Sequence, residues 1–165
     1  MKKYVFALIA FVVKAQDESG DLVKEGQQMP AFTIVNDNGT QVSSSSLKRK
    51  VILVNFFATW CPPCQKELAE VQKMLWPKYK DNKDFVLLVI GREHTDVELQ
   101  KYNEKKGFTF PLYPDKNRAI YGAFAKNLIP RSYLVDKTGK VVYATKGYSD
   151  EEFAELMKRI EAALK

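Results

Sequence analysis

The 165-residue chain holds two cysteines, Cys61 and Cys64, and they stand together in Trp60-Cys61-Pro62-Pro63-Cys64. Two sulfurs at this spacing can interconvert between a dithiol and a disulfide, and the surrounding sequence favours that chemistry. The run Val51 to Phe57, broken only by Asn55, has the apolar continuity of a strand buried on both faces. The proline pair that follows is tolerated in the first turn of a helix. A helix N-terminus presents free backbone N–H groups and partial positive charge, which favour a thiolate, so Cys61 is the candidate nucleophile. Cys64, one turn on, is the candidate resolving thiol, able to attack a mixed disulfide made by Cys61. Two structural readings compete. A zinc site needs about four ligands, and with His94 as the one histidine the chain cannot complete one alone. A disulfide kept only for stability is also conceivable, but so small a ring restricts the unfolded chain little.

The elements that must position these sulfurs follow from the rest of the pattern. Met29 to Val35 reads as a strand, Asn36 to Gly39 as a turn, and Gln41-Val42 as a hairpin return. The helix opening at Pro62 is expected to reach no further than Trp76-Pro77. Phe85 to Ile90 is a second buried strand, and Thr95-Asp96-Val97-Glu98 is a capping box for a helix that Gly107 can close. A short apolar segment ends at Pro111, and Asp115 can cap a further helix through Tyr121. Arg131 to Val135 and Val141 to Thr145 form a hairpin. Ser149-Asp150-Glu151-Glu152 then caps a helix with Phe153, Leu156, Ile160 and Leu164 on one face. Strands alternating with helices predict an α/β fold, a central mixed β-sheet flanked by helices with an N-terminal β-hairpin extension.

Length allows one domain of ordinary size. The content, 45% hydrophobic and 28% charged, excludes a disordered chain and a collagen-like fibre. Lys+Arg 26 against Asp+Glu 20 gives a formal charge of +6, of which Lys2, Lys3 and Lys14 supply half. Lys48-Arg49-Lys50 is the one basic triplet, and elsewhere lysine alternates with glutamate, so no nucleic-acid-binding stripe is expected. Lys2 and Lys3 precede the apolar run Tyr4 to Val13, and Val13-Lys14-Ala15 offers a cleavage site. Residues 1–15 are therefore expected to be a signal peptide, although a first strand or helix of the domain is the competing reading. The run is far short of the about 20 residues a spanning helix needs, so no stable membrane anchor is expected. A polar segment, residues 16–28, and the domain, residues 29–165, complete the expected organisation.

The stretch Lys50 to Cys64, then Ile129-Pro130-Arg131-Ser132-Tyr133-Leu134-Val135-Asp136, then Gly139-Lys140-Val141, resembles the thioredoxin-like superfamily. The similarity is greatest to exported thiol-disulfide oxidoreductases of the TlpA/ResA type and runs from about Gly26 to Lys165. The resemblance implies a thioredoxin-like fold and an enzyme that reduces or exchanges disulfides in exported proteins, those of apocytochromes included. It implies protein thiol and disulfide partners, an upstream membrane thiol reductant, a periplasmic or cell-envelope location, and no cofactor or metal beyond the Cys61-Cys64 pair. It also implies that Ile129-Pro130 is a cis peptide whose Ile129 backbone pairs with an extended substrate. Trp60 is expected to cover the disulfide, with an ordinary core tryptophan as the alternative.

Two positions depart from that pattern. Thioredoxins carry a buried aspartate where this chain has Asn55, and an amide cannot exchange a proton at neutral pH. The threonine common after the cis proline is Arg131 here, which puts the charge and shape of the substrate groove in question. Glu67 is the candidate proton carrier in place of the aspartate. With Cys64 set at zero on a helical wheel, Leu68, Val71, Met74 and Leu75 fall at roughly +40°, −20°, −80° and +20°. Glu67 falls at roughly −60°, inside the apolar sector, where a carboxyl pKa rises and the group can pass a proton to or from Cys64. TlpA/ResA-type proteins are similar in having a glutamate at this spacing. The competing role is a glutamate that answers the helix dipole or an ion pair. Two other functions stay open at the level of sequence. A thiol peroxidase would share the fold, but the Pro-x-x-x-Thr-x-x-Cys arrangement is missing. A copper-carrying module would use Cys61, Cys64 and His94, although His94, just ahead of a capping box, reads more simply as a loop residue.

Overall fold

Residues 19–35 and 39–165 are described in the computed structural model; the expected leader lies outside them. Strands β1 (Thr33–Val35) and β2 (Gln41–Ser43) pair antiparallel, with Ile34 opposite Val42. The main sheet contains β3 (Val51–Phe57), β4 (Phe85–Arg92), β5 (Leu112–Asp115), β6 (Arg131–Val135) and β7 (Val141–Lys146), in the order β5-β4-β3-β6-β7. β4 runs parallel to β3 and to β5, whereas β6 runs antiparallel to β3 and to β7. Parallel neighbours need crossover connections. Between β3 and β4 that connection is α1 (Pro62–Glu70), a π-helical turn (Val71–Leu75) and α2 (Trp76–Tyr79). Between β4 and β5 it is α3 (Asp96–Lys106). The chain then adds α4 (Ala119–Phe124) ahead of β6 and α5 (Asp150–Leu164) after β7.

Every residue of β3 is buried, and its alternation divides the core in two. Leu53 and Phe57 face Cys64, Leu68 and Leu75 together with Phe153, Leu156 and Ile160 of α5. Ile52, Val54 and Phe56 face Ile120, Tyr121 and Phe124 of α4 and Ile34 of β1. Asn55 belongs by the same alternation to the first face, directly across β6 from Ser132.

Two local expectations change, and two hold. The helix after the cysteines continues past Pro77 to Tyr79, because the Trp76 N–H reaches back five residues to the Val71 carbonyl. That wider turn shifts the register just ahead of a residue that has no N–H to give. The segment Leu112–Asp115 is an edge strand rather than a plain connection, and its Pro114 is tolerated there because an edge leaves one side of the ladder unpaired. Asp115 does cap α4: its carboxylate accepts from the N–H groups of Ile120 at 3.1 Å and Tyr121 at 2.8 Å. The capping box of Thr95 and Glu98 forms, and Gly107 closes α3 in the left-handed conformation at φ 68°.

The described part of the polar N-terminal segment lies against the sheet. Gly26 N–H donates to the Val141 carbonyl at 2.8 Å, Val141 N–H to Gln27 at 2.9 Å and Met29 N–H to Gly139 at 2.9 Å, so this stretch runs beside β7. Its upstream end is tied by Arg131. The guanidinium, only 1% exposed, pairs with Asp21 and donates to the carbonyls of Ser19 and Asn127 at 2.8 and 2.9 Å. Arg131 thus turns its charge to the side of the sheet that carries Tyr133, not into a substrate groove. Removing the Asp21 carboxylate leaves that cation buried with neutral acceptors alone. Asp21→Ala is therefore expected to lower the unfolding free energy by about 1–3 kcal/mol. Urea denaturation checks this, and an unchanged midpoint and slope would contradict the anchoring role.

Candidate functional site

The sulfur pair sits where β3 becomes α1. Cys61 is the N-cap residue, Pro62 and Pro63 fill the first positions, and Cys64 completes the first turn. The two sulfurs are bonded to each other as a disulfide. Cys61 Sγ accepts the Cys64 N–H at 3.3 Å, so the helix N-terminus points its free donor at the outer sulfur. Both residues are buried, Cys61 at 4% exposure and Cys64 at 0%. The inner sulfur is closed off completely.

Cys61 Sγ lies 3.9 Å from the carbonyl oxygen of Ile129, and the Ile129-Pro130 peptide is cis. This contact joins the cysteine turn to the loop before β6. Each side of the junction carries a large exposed apolar side chain, Trp60 at 65% and Leu128 at 56%. Trp60 is therefore not a core residue; its indole faces the guanidinium of Arg92. Leu128 escaped the sequence reading. It takes a left-handed backbone at φ 66°, costly for a branched residue, and its carbonyl accepts the Tyr121 hydroxyl at 2.6 Å. No pattern of neighbouring residues signals such a conformation for leucine.

Glu67 is buried one turn beyond Cys64. Asn55 Nδ2 donates to its Oε2 at 2.9 Å, and the Ser132 hydroxyl donates to its Oε1 at 3.0 Å. Asn55 Nδ2 also donates to Ser132 Oγ at 2.9 Å, which closes the triangle. Burial pushes the Glu67 pKa up to about 7, against the two hydrogen bonds, which lower it; the charge of Glu152 adds to the rise. The helical wheel therefore placed Glu67 correctly. It did not show the partners, because Asn55 and Ser132 meet only through the β3–β6 register.

His94 lies in the turn after β4, as its sequence context suggests, but it is buried at 7% exposure. Its Nε2 accepts the Thr59 N–H at 3.0 Å. That lone pair is turned to the backbone, and among the described residues no group of three or more His, Cys, Asp or Glu could hold a metal ion.

A redoxin family profile matches residues 24–161. The chain belongs to that family. It is 33% identical over 127 residues to the thiol-disulfide oxidoreductase ResA of Bacillus thuringiensis, covering 77% of this chain and 72% of the relative. A solution structure from Bacteroides thetaiotaomicron, provisionally described as a protein disulfide isomerase, has a TM-score of 0.83 and 38% identity. It covers 88% of this chain and 92% of its own. A thiol:disulfide interchange protein of the thioredoxin family from Chlorobium tepidum has a TM-score of 0.70 at 26% identity, covering 87% and 99%. The redoxin-family chain is a thioredoxin-like thiol-disulfide oxidoreductase of the TlpA/ResA type.

The raised pKa of Glu67 has a consequence for stability. Below the ordinary value of 4.5 the carboxyl is neutral in both the folded and the unfolded chain, and above about 7 it is ionised in both. Between them the folded form holds the extra proton, so its contribution to stability is full at acid pH and is lost as pH rises through about 7. Glu67→Gln keeps a neutral side chain throughout. Its stability relative to the parent should improve by up to roughly 3 kcal/mol between about pH 4 and about pH 8. Denaturation curves at the two ends measure this, and a pH-independent difference would rule out a titrating Glu67.

Proposed function

We propose that this oxidoreductase reduces or exchanges disulfides in exported proteins, with Cys61 as the attacking sulfur, Cys64 as the resolving sulfur and Glu67 as the proton carrier. The observation that carries the reading is the placing of Cys61 at the N-cap of α1, where its Sγ accepts the Cys64 N–H. In the reduced chain the same donor and the helix dipole favour the Cys61 thiolate over the thiol. The thiolate attacks one sulfur of a substrate disulfide, a Cys61-substrate bond forms, and the other substrate sulfur leaves as a thiolate and takes up a proton. Cys64 then gives its proton to the ionised Glu67 carboxylate and attacks Cys61 Sγ. The second substrate sulfur leaves, Cys61 and Cys64 are joined, and two electrons have passed to the substrate.

A carboxyl with a pKa of about 7 is suited to this exchange, because near neutral pH both its forms are populated. The Ser132 hydroxyl can donate to the carboxylate or accept from the acid, so the triangle survives either state. Trp60 and Leu128 offer an apolar rim on either side of Cys61, which suits a protein strand better than a small polar disulfide. Ile129 and Pro130 line the same junction as the backbone contact for that strand. The sulfur pair itself is the redox group, with no other cofactor, and an upstream membrane thiol reductant returns it to the dithiol. An N-terminal leader that directs export, and apocytochrome cysteines as substrates, complete the proposal. Among the described residues no helix is long and apolar enough to cross a membrane.

The order of the two sulfurs is tested by trapping. Cys64→Ser should accumulate a mixed disulfide with protein substrates on non-reducing gels, whereas Cys61→Ser should give none. Equal trapping by the two variants would reject the assignment. In the same assay Glu67→Gln should slow resolution by about a hundredfold or more near neutral pH and flatten its dependence on pH.

A further inference from the structure

The turn that carries Cys61 is held from outside itself. The Thr59 carbonyl accepts from the side-chain amide of Gln65 on α1, and the Thr59 N–H donates to His94 Nε2. His94 has little room to move. Its ring lies beside Phe57, with centroids 6.4 Å apart, and the His94 backbone N–H closes a turn on the Gly91 carbonyl at 3.1 Å. A side chain at position 91 would crowd this turn: a Cβ on Gly91 would stand 2.7 Å from a Leu99 methyl and 3.3 Å from the Cβ of His94. The polar atom of a buried histidine is thus aimed at a backbone group two residues ahead of the reacting sulfur.

An Nε2 that accepts a hydrogen bond carries no proton, so the imidazole is neutral and bears its hydrogen on Nδ1. Nδ1 faces the Glu98 carboxylate 3.9 Å away, and that carboxylate is itself fixed by the Thr95 N–H and hydroxyl. We infer that His94 is a positioning residue for the sulfur pair, one that holds the Cys61 turn while neutral and releases it when protonated. Protonated Nε2 would oppose the Thr59 N–H donor to donor. Burial lowers the His94 pKa from 6.5; Glu98 and Glu93 favour the cation, and Arg92 opposes it. α1 brings the neutral amide of Gln65 to the same turn. The release therefore belongs to a titration below 6.5, distinct from that of Glu67 at about 7.

This inference rests on Cys61 being the attacking sulfur, and its test separates the two. In the Glu67→Gln background, exchange with a peptide disulfide is followed from about pH 4.5 to about pH 8. The Thr59 amide is followed over the same range by nitrogen-15 NMR of the parent chain. The Thr59 resonance should shift with the His94 ring, with a midpoint below 6.5. His94→Leu removes the acceptor and should slow exchange about three- to tenfold at the alkaline end; once each rate is divided by the fraction of Cys61 present as thiolate, it should lack the acid limb that the parent retains. His94→Gln, whose Oε1 can accept the same N–H, should restore most of the rate and, corrected in the same way for the Cys61 thiolate, still show no acid limb. Leucine and glutamine variants that keep the parent rate and the parent acid limb would overturn the inference. A glutamine variant alone that keeps the whole parent limb after that correction overturns it where the leucine variant does not fold. A Thr59 resonance indifferent to the imidazole titration overturns it regardless of activity. Loss of exchange in the parent chain would instead count against the redox reading, and the Thr59 titration would still decide the role of His94.

Discussion

The burial of one carboxyl group without a cation is the constraint on which the site depends. Glu67 is met by two neutral donors, Asn55 and Ser132, which lower its pKa, but burial outweighs them and carries it up to about 7. A lysine or arginine at hydrogen-bond distance would have held the carboxylate ionised through the whole neutral range. The choice of an amide on β3 and a hydroxyl on β6 therefore does chemical as well as structural service. It requires that β3 and β6 pair with Asn55 opposite Ser132 and that α1 be packed hard against that face. A one-residue slip in the pairing would send both donors to the other side of the sheet.

Much of this was legible in the chain before the fold was described. Val51–Phe57 is a strand with the expected bounds, because a fully buried central strand must be apolar almost throughout. The sulfur pair, the caps at Thr95 and Ser149 and the hydrophobic face of α5 were equally clear, since each is a local pattern with a local cause. What escaped was non-local. Leu112-Tyr113-Pro114-Asp115 holds a proline and only four residues, so nothing within it identifies a strand until β4 is there to pair with it. The π turn before Pro77 depends on how the helix meets the core. Arg131 left the charge and shape of the groove in question, but alternation along β6 and the presence of Asp21 turn it away. The burial of His94 could not be read either, since it is set by Gly91 and Phe57, which approach from β4 and β3.

The same two loops that frame the sulfurs are braced by unrelated parts of the chain. Thr59 is held by His94, and Leu128 by Tyr121 of α4. Arg131 joins Asn127 in the second loop to Ser19 and Asp21 in the N-terminal segment. The segment at one side of the sheet is thereby linked to the loop that contributes Ile129 and Pro130. Rigid bracing of this kind suits a site whose inner sulfur is fully covered, because reach is then set by the loops and not by the cysteine side chains.

The N-terminal segment beside β7 has another effect. A sheet ends in two rows of backbone groups, each a template on which a foreign strand can grow. Here residues 26–29 take the start of one row, at Gly139 and Val141, and the Glu25 carboxylate takes the Ala144 N–H further along β7. The other row, on β5, is four residues long and interrupted by Pro114. An extended peptide with free backbone groups can add to any open border. With one border blocked at its start and the other short and broken, neither offers a long open template for sheet growth.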